Sequence, residues 1–351
     1  TRLAVIELPN EQGTQQLVVV PGGYAYFLNR SGSIAILNGS TPVKTIRLTK
    51  KVNSLNGDLI YNPVNQLIYV LDQFNRYIHV IRGTEVITQI ATEPFAPSRL
   101  ATASHSPLVY VNGTIFTEET HQTIKQIWVI SNTQVITQID LALTLDSFAV
   151  DRTTDRVYAG FYLPEKSDKE YIVGTIDGTE LITAGKLGVD WGGISAMAVN
   201  EQSGALYLKK DLGSVIYWHG DEVARVRLGQ MGYYPVNDFI AVDPTRDLAY
   251  VGIQRRGPSE VVVLRKGEIV DILRVGFDPQ YAIYDARHDY MYIANYHSGT
   301  MTVVRGTSII ATLETGGAGP RYIGVDEKRG YIYVSNADDH SIAVFGYGET
   351  E

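Results

Sequence analysis

Short runs of alternating apolar and polar residues, broken by Gly, Asn and Asp, fill the chain, and between residues 277 and 345 one succession of such runs occurs twice. PQYAIYDARHDYMYIANYHSGTMTVVRGTSIIATLETGGAG is followed by PRYIGVDEKRGYIYVSNADDHSIAVF. Each copy reads as a strand, a charged or Gly-containing turn, a second strand beginning at Tyr292 or Tyr333, a polar loop and a third strand. The first copy adds a fourth strand, Ser308 to Leu313, after the turn Arg305-Gly306-Thr307. β-Branched and aromatic interiors bounded by turn formers are what short strands require. The second-strand tyrosine then recurs as Tyr26, Tyr69, Tyr110, Tyr158, Tyr207, Tyr250, Tyr292 and Tyr333, at spacings of 43, 41, 48, 49, 43, 42 and 41. The 18 residues after Tyr333 and the 26 up to Tyr26 give a wrap-around spacing of 44, which matches the internal period.

A period of about 40–45 residues with four strands per copy predicts an all-β propeller, here with eight four-stranded antiparallel blades and only short, protected sheet edges. The last copy stops near Phe345 without a fourth strand, and residues 3–8, LAVIEL, have that pattern and belong to no other copy. The N-terminal strand is therefore expected to complete the last blade and close the ring, making residues 1–351 one domain. Asn38-Gly39 marks a tight hairpin in blade one. Blades three and four carry longer connections between second and third strands, Asn112 to Thr123 and Gly160 to Lys169, which account for the spacings of 48 and 49.

Net charge is −8 over 351 residues, with a pI near 5.4, so long-range attraction to nucleic acid or anionic membrane is not expected. The basic pairs Lys50-Lys51, Lys209-Lys210 and Arg255-Arg256 read as solvated loop charges. The absence of cysteine excludes disulfides, thiolate metal sites and Cys nucleophiles. No apolar run reaches the ~18–20 residues that span a bilayer. The first residue is Thr1 rather than Met, and the sequence is read as a processed or trimmed form whose targeting segment is missing.

The stretches YIANYHSGTMTVV, YIYVSNADDHSIAVF and GGAGPRYIGVDEKRGYIYV resemble the YVTN family of surface-layer-like β-propeller repeats, in which a Tyr-Val-Thr-Asn-like second strand follows a Gly-x-x-Pro lead-in. The resemblance implies a secreted, periplasmic or cell-surface protein. It identifies a scaffold rather than an activity.

In a propeller, residues opening the innermost strands and the loops between second and third strands meet at one face. By alignment the former are Asn56, Arg99, Asp146, Trp191, Tyr234, Asp238, Gln280, Tyr281 and Arg321. Aromatics beside single charges make a candidate ligand mouth, and the plainer reading is that they fill the axial channel and hydrogen-bond its waters. Phe116, Phe161, Tyr162, Trp191, Tyr233 and Tyr234, with Arg255 in the blade-six loop, are the candidate partner contacts. His297, Asp338 and His340 lie on neighbouring blades and are the candidates for a mixed histidine and carboxylate cation site, although the same positions need polar turn formers anyway. Asn29, Asn38 and Asn112 open glycosylation sequons.

No Gly-x-Ser-x-Gly, phosphate loop or His-Glu-x-x-His is present. Carboxylates such as Glu118, Glu119, Glu165 and Asp168 read as solvated loop charge. The favoured reading is a non-catalytic, exported interaction module that binds a protein or glycan partner through its loops and uses no cofactor. Two others remain open: an enzyme or cofactor-binding propeller with its site at the channel mouth, and a surface-layer or filament subunit within a larger assembly.

Overall fold

The computed structural model describes the chain except residues 9–12, 49–57, 118–121, 142–143, 164–169, 190–192, 211–212, 229–238, 254–258 and 348–351. Among the described residues every regular element is a β-strand, and the strands form eight four-stranded sheets. The chain is an all-β, eight-bladed propeller. Blades one to seven take consecutive strands, within residues 14–47, 59–91, 95–141, 144–189, 194–227, 240–274 and 279–314. Blade eight takes three strands from residues 320–346 and its fourth from Arg2–Glu7, which pairs antiparallel with Ser341–Gly346 in the register Ala4↔Val344 and Ile6↔Ile342. The expected closure of the last blade by the N-terminal strand is what the sheet shows.

Three local rules repeat. In blades two, five, six, seven and eight the first strand ends in a buried Asn or Asp whose side chain accepts from backbone N–H groups of the turn, as Asp243 does from Thr245 and Arg246 at 2.9 and 3.1 Å and Asn62 from Val64 and Asn65 at 3.0 and 3.2 Å. Such Asx turns make the reversal without a long loop. The second strand carries the repeat tyrosine and, in blades one, seven and eight, ends in a buried Asn whose amide bonds Ser33, Thr300 or Ser341 on the third strand, at 3.2, 3.0 and 2.9 Å. The first strand is bulged near its start, between Pro97 and Arg99, Pro279 and Tyr281, and Pro320 and Tyr322 among others. A bulge adds one residue to one strand and re-aims its side chain.

Two compact units are distinguished, residues 1–54, 213–218 and 224–351, and residues 55–212 with 219–223. In the first, apolar faces of successive blades pack together: Ala25, Phe27, Ala35 and Leu37 of blade one lie with Tyr333, Ile342 and Val344 of blade eight, to which Ala4 and Ile6 of the N-terminal strand are added. In the second, Leu67, Tyr69 and Leu71 of blade two pack on Val109, Val111 and Trp128 of blade three. There Phe95 stacks on Trp128, with centroids 4.4 Å apart and an interplanar angle of 11°.

Two of the repeat tyrosines bridge neighbouring blades. Tyr69 donates to the carbonyl of Asn132 at 2.7 Å and Tyr250 to that of Gly306 at 2.7 Å, in each case the tight turn between third and fourth strands of the following blade. Blade eight has no such turn, because its fourth strand comes from the other end of the chain; Tyr292 instead meets the hydroxyl of Tyr347 at 2.6 Å. Tyr347 also donates to Asp285 and lies stacked on His288, with ring centroids 3.4 Å apart.

Several sequence expectations are corrected. Lys209 and Lys210 are not solvated loop residues: they end the strand Ala205–Lys210 and are fully buried. Phe161 is a core residue, 3% exposed, beside Tyr110, Val129 and Val157. The blade-three connection is mostly strand, since Leu108–Thr117 and Gln122–Ser131 pair over ten residues each. Asn29 is buried with its amide bonded to Ser33, so its sequon is inaccessible.

Candidate functional site

The bulges of the first strands place Ser98, Gln280 and Arg321 as the extra residues of blades three, seven and eight. Ser98 bonds Asn112 Oδ1 at 2.8 Å and Gln280 bonds Asp278 Oδ1 at 2.7 Å, both on their own blades. Arg321 differs: its guanidinium lies 5.6 Å from the Tyr322 ring centroid, and its Nε is buried without a hydrogen-bond partner. Tyr322 in turn meets Tyr281 edge-on, with centroids 5.6 Å apart.

Ahead of each bulge, the lead-in runs beside the loop between second and third strands. In blade seven the N–H groups of Tyr296 and His297 bond the carbonyls of Asp278 and Phe277, at 2.8 and 3.2 Å; in blade eight Ala337 and Asp338 bond Gly319 and Ala318, at 2.8 and 3.1 Å. Blade one repeats the first of these bonds from Arg30 to Gly13, at 3.3 Å. Tyr296, Ala337 and Arg30 are thus equivalent positions on three successive blades. Asp278 and Gly319 hold this shape with φ of 61° and 70°. A Cβ at Gly319 would lie 2.7 Å from Asp338 Oδ2 and 3.0 Å from Tyr296 Cε2, so a side chain there would displace the Asp338 carboxylate.

Around this frame the loops of blades seven, eight and one gather aromatic and charged side chains. Tyr296 donates to Asp338 Oδ1 at 2.5 Å. That bond, followed by burial, pushes the phenol above its ordinary pKa, while Arg321 and Arg30 draw it back. His297 is held through Nδ1 by Asp278 Oδ2 at 2.8 Å and lies between Phe277 and Tyr296, at centroid distances of 5.3 and 5.1 Å. Phe277 is 50% exposed. Asp339 accepts from the Ala318 N–H at 2.8 Å and from the Ser341 hydroxyl at 2.8 Å.

The structure brings Arg321, His297 and Asp338 into one neighbourhood, but not as a metal site. Among the described residues no three His, Cys, Asp or Glu side chains gather as ligands. His297 and Asp338 are engaged by Asp278 and Tyr296, and the Nδ1 of His340 is buried without a hydrogen-bond partner, at a turn residue with φ of 60°.

Phe116 and Arg99 stand in the other unit. Phe116 is 58% exposed near the end of Leu108–Thr117, opposite Thr123, with Ile124 also exposed. Arg99 is exposed on the first strand of blade three. It lies near Asp58, whose carboxyl burial pushes above its ordinary value, while the Leu100 N–H at 2.7 Å and Arg99 pull it down. Tyr162 pairs with Thr144 and Tyr171 through its backbone; its side chain, together with Trp191, Tyr233, Tyr234 and Arg255, lies outside the described residues. Phe277, Tyr296 and Arg30 were missed in the sequence. The available signal was their common position, two residues before the first-strand proline or directly after the second strand.

No protein-family model matches the chain, and no curated protein matches it. Solved structures do: BamB from Moraxella catarrhalis superposes with a TM-score of 0.65 at 13% identity, and the Cps50 (Swd1) β-propeller domain from Myceliophteria thermophila with 0.58 at 10% identity. In both cases the match covers 99% of each chain. At these identities the likeness is one of fold.

Proposed function

We propose that this chain is a non-catalytic, exported interaction module that engages a protein partner through the loops and extended hairpin on one face of its blades. The observation that carries the reading is the blade-three hairpin. Its strands run ten residues where those of blades seven and eight run six, and the added length presents Phe116, 58% exposed. A large, mostly exposed aromatic on an extended hairpin offers the kind of anchor that dominates protein interfaces. An exported location is supported by the YVTN-like second strands and Gly-x-x-Pro lead-ins.

Phe116→Ala tests the reading. The variant is expected to keep the wild-type melting temperature within about 1 °C, since an exposed side chain contributes little to stability. It is expected to recover the partner from native-source extract at least roughly tenfold less well, the loss of one interface anchor. Equal recovery would remove the hairpin as the contact.

A further inference from the structure

Tyr296, Ala337 and Arg30 occupy equivalent positions on blades seven, eight and one, so a methyl group stands between a phenol and a guanidinium. Arg321 acts on the same phenol and belongs to the same neighbourhood. The hydrogen-bond inventory here is unbalanced. The acidic groups have donors: Asp338 takes the Tyr296 hydroxyl, Asp339 the Ala318 N–H and Ser341, and Asp278 both Gln280 and His297. The guanidinium groups lack acceptors: among the described residues neither Arg30 nor Arg321 has a side-chain hydrogen bond or ion pair, and Arg321 Nε is buried unpaired. Guanidinium is donor-only, with five N–H groups in a planar fork that matches a carboxylate. A buried donor left unpaired calls for an acceptor.

We propose that this notch between Tyr296 and Arg30 receives the carboxylate of an Asp or Glu side chain from the protein partner. The acid lies against Arg321 and Arg30, and an adjoining apolar residue of the partner packs on Phe277 and His297. Ala337 contributes only a methyl group between Tyr296 and Arg30, and the exposed Phe277 ring on blade seven supplies apolar surface. The proposal rests on the interaction-module reading and names the chemistry recognised at a second position on the blades.

The probe is acetyl-Glu-Phe-amide, titrated into the full chain by NMR or calorimetry to about 10 mM, where a single charge-assisted contact with one apolar neighbour binds in the millimolar range. Saturable binding is expected, with the Glu→Gln peptide and the variants Arg321→Gln and Arg30→Gln each weaker by roughly tenfold, and with melting temperatures unchanged. No saturation, or equal affinity for the Gln peptide, overturns the proposal. Binding of glucuronic acid in place of the peptide overturns the assignment to a protein side chain. If partner recovery falls in Phe116→Ala but is unchanged in Arg321→Gln and Arg30→Gln, this inference fails while the interaction-module reading stands.

Discussion

The hydroxyls of Tyr69 and Tyr250 tie one blade to the next, and that fixes what removing one of them should do. Tyr250→Phe keeps the buried ring and loses only the bond to Gly306, so it is expected to lower unfolding stability by about 1 kcal/mol in urea, the usual net worth of such a bond. Burial raises the pKa of these phenols, to about 12 for Tyr110 and Tyr333, helped at Tyr110 by Asp155 and Asp177. Tyr250 and Tyr292 are raised further by burial and nearby acids. A raised folded-state pKa means that the unfolded chain ionises first. Stability is therefore expected to be whole below pH 10 and to fall progressively toward pH 12, with a shallower slope in Tyr250→Phe. The acid side runs the other way. Asp289 is held well below the carboxylate range by Arg246, against the effect of burial, and further by Arg305 and Tyr284. Its contribution is present above about pH 4 and lost as pH falls through the folded-state value. Asp289→Asn should lower the urea midpoint at pH 7 and approach the wild type near pH 2. The sequence displays the tyrosine by its spacing, but its partner lies 63 residues away for Tyr69 and 56 for Tyr250, which no local pattern reveals.

Strands follow from local pattern more readily than the surfaces they make. Alternation and turn residues locate nearly every strand of blades seven and eight, because Asx turns and Asn-capped second strands are set by residues within five positions of one another. The blade-three hairpin reads as a loop because Asn112-Gly113-Thr114 has turn composition. Gly113 is in fact a strand residue, and its missing side chain is needed where a Cβ would come within 2.6 Å of the Phe95 ring. Lys209-Lys210 misleads in the same way: charge implies solvent, yet the strand carries both lysines into full burial. The N-terminal strand is the element whose loss matters most. Its edge partner is Ser341–Gly346, and Ala4 and Ile6 pack between blades eight and one. Deleting residues 1–8 exposes that edge and is expected to cost about 3 kcal/mol or more in chemical denaturation, from lost backbone bonds and apolar burial together. A synthetic peptide of residues 1–8 should restore part of the loss. A deletion within about 0.5 kcal/mol of wild type would mean the strand does not complete the blade.

At the scale of the molecule, the repeat period determines the architecture and leaves the sites unspecified. Eight tyrosines and a closing interval of 44 residues lead to eight blades, since a repeat that cannot cover its own apolar faces must stack on its neighbours. The notch of blades seven, eight and one is not visible in this way. It arises because Tyr296, Ala337 and Arg30 stand at one position in three copies and differ there, so it is the departures from the repeat, once the register is known, that carry recognition. The proposed point of contact with a protein partner is Phe116 on the blade-three hairpin. A photo-crosslinking amino acid at position 116, irradiated in native-source extract beside the same group at exposed Ile310 of the blade-seven fourth strand, tests it most directly. One dominant adduct from position 116, absent from position 310 and competed by unlabelled protein, is the predicted result. No adduct at 116, or the same adducts at both positions, would contradict it.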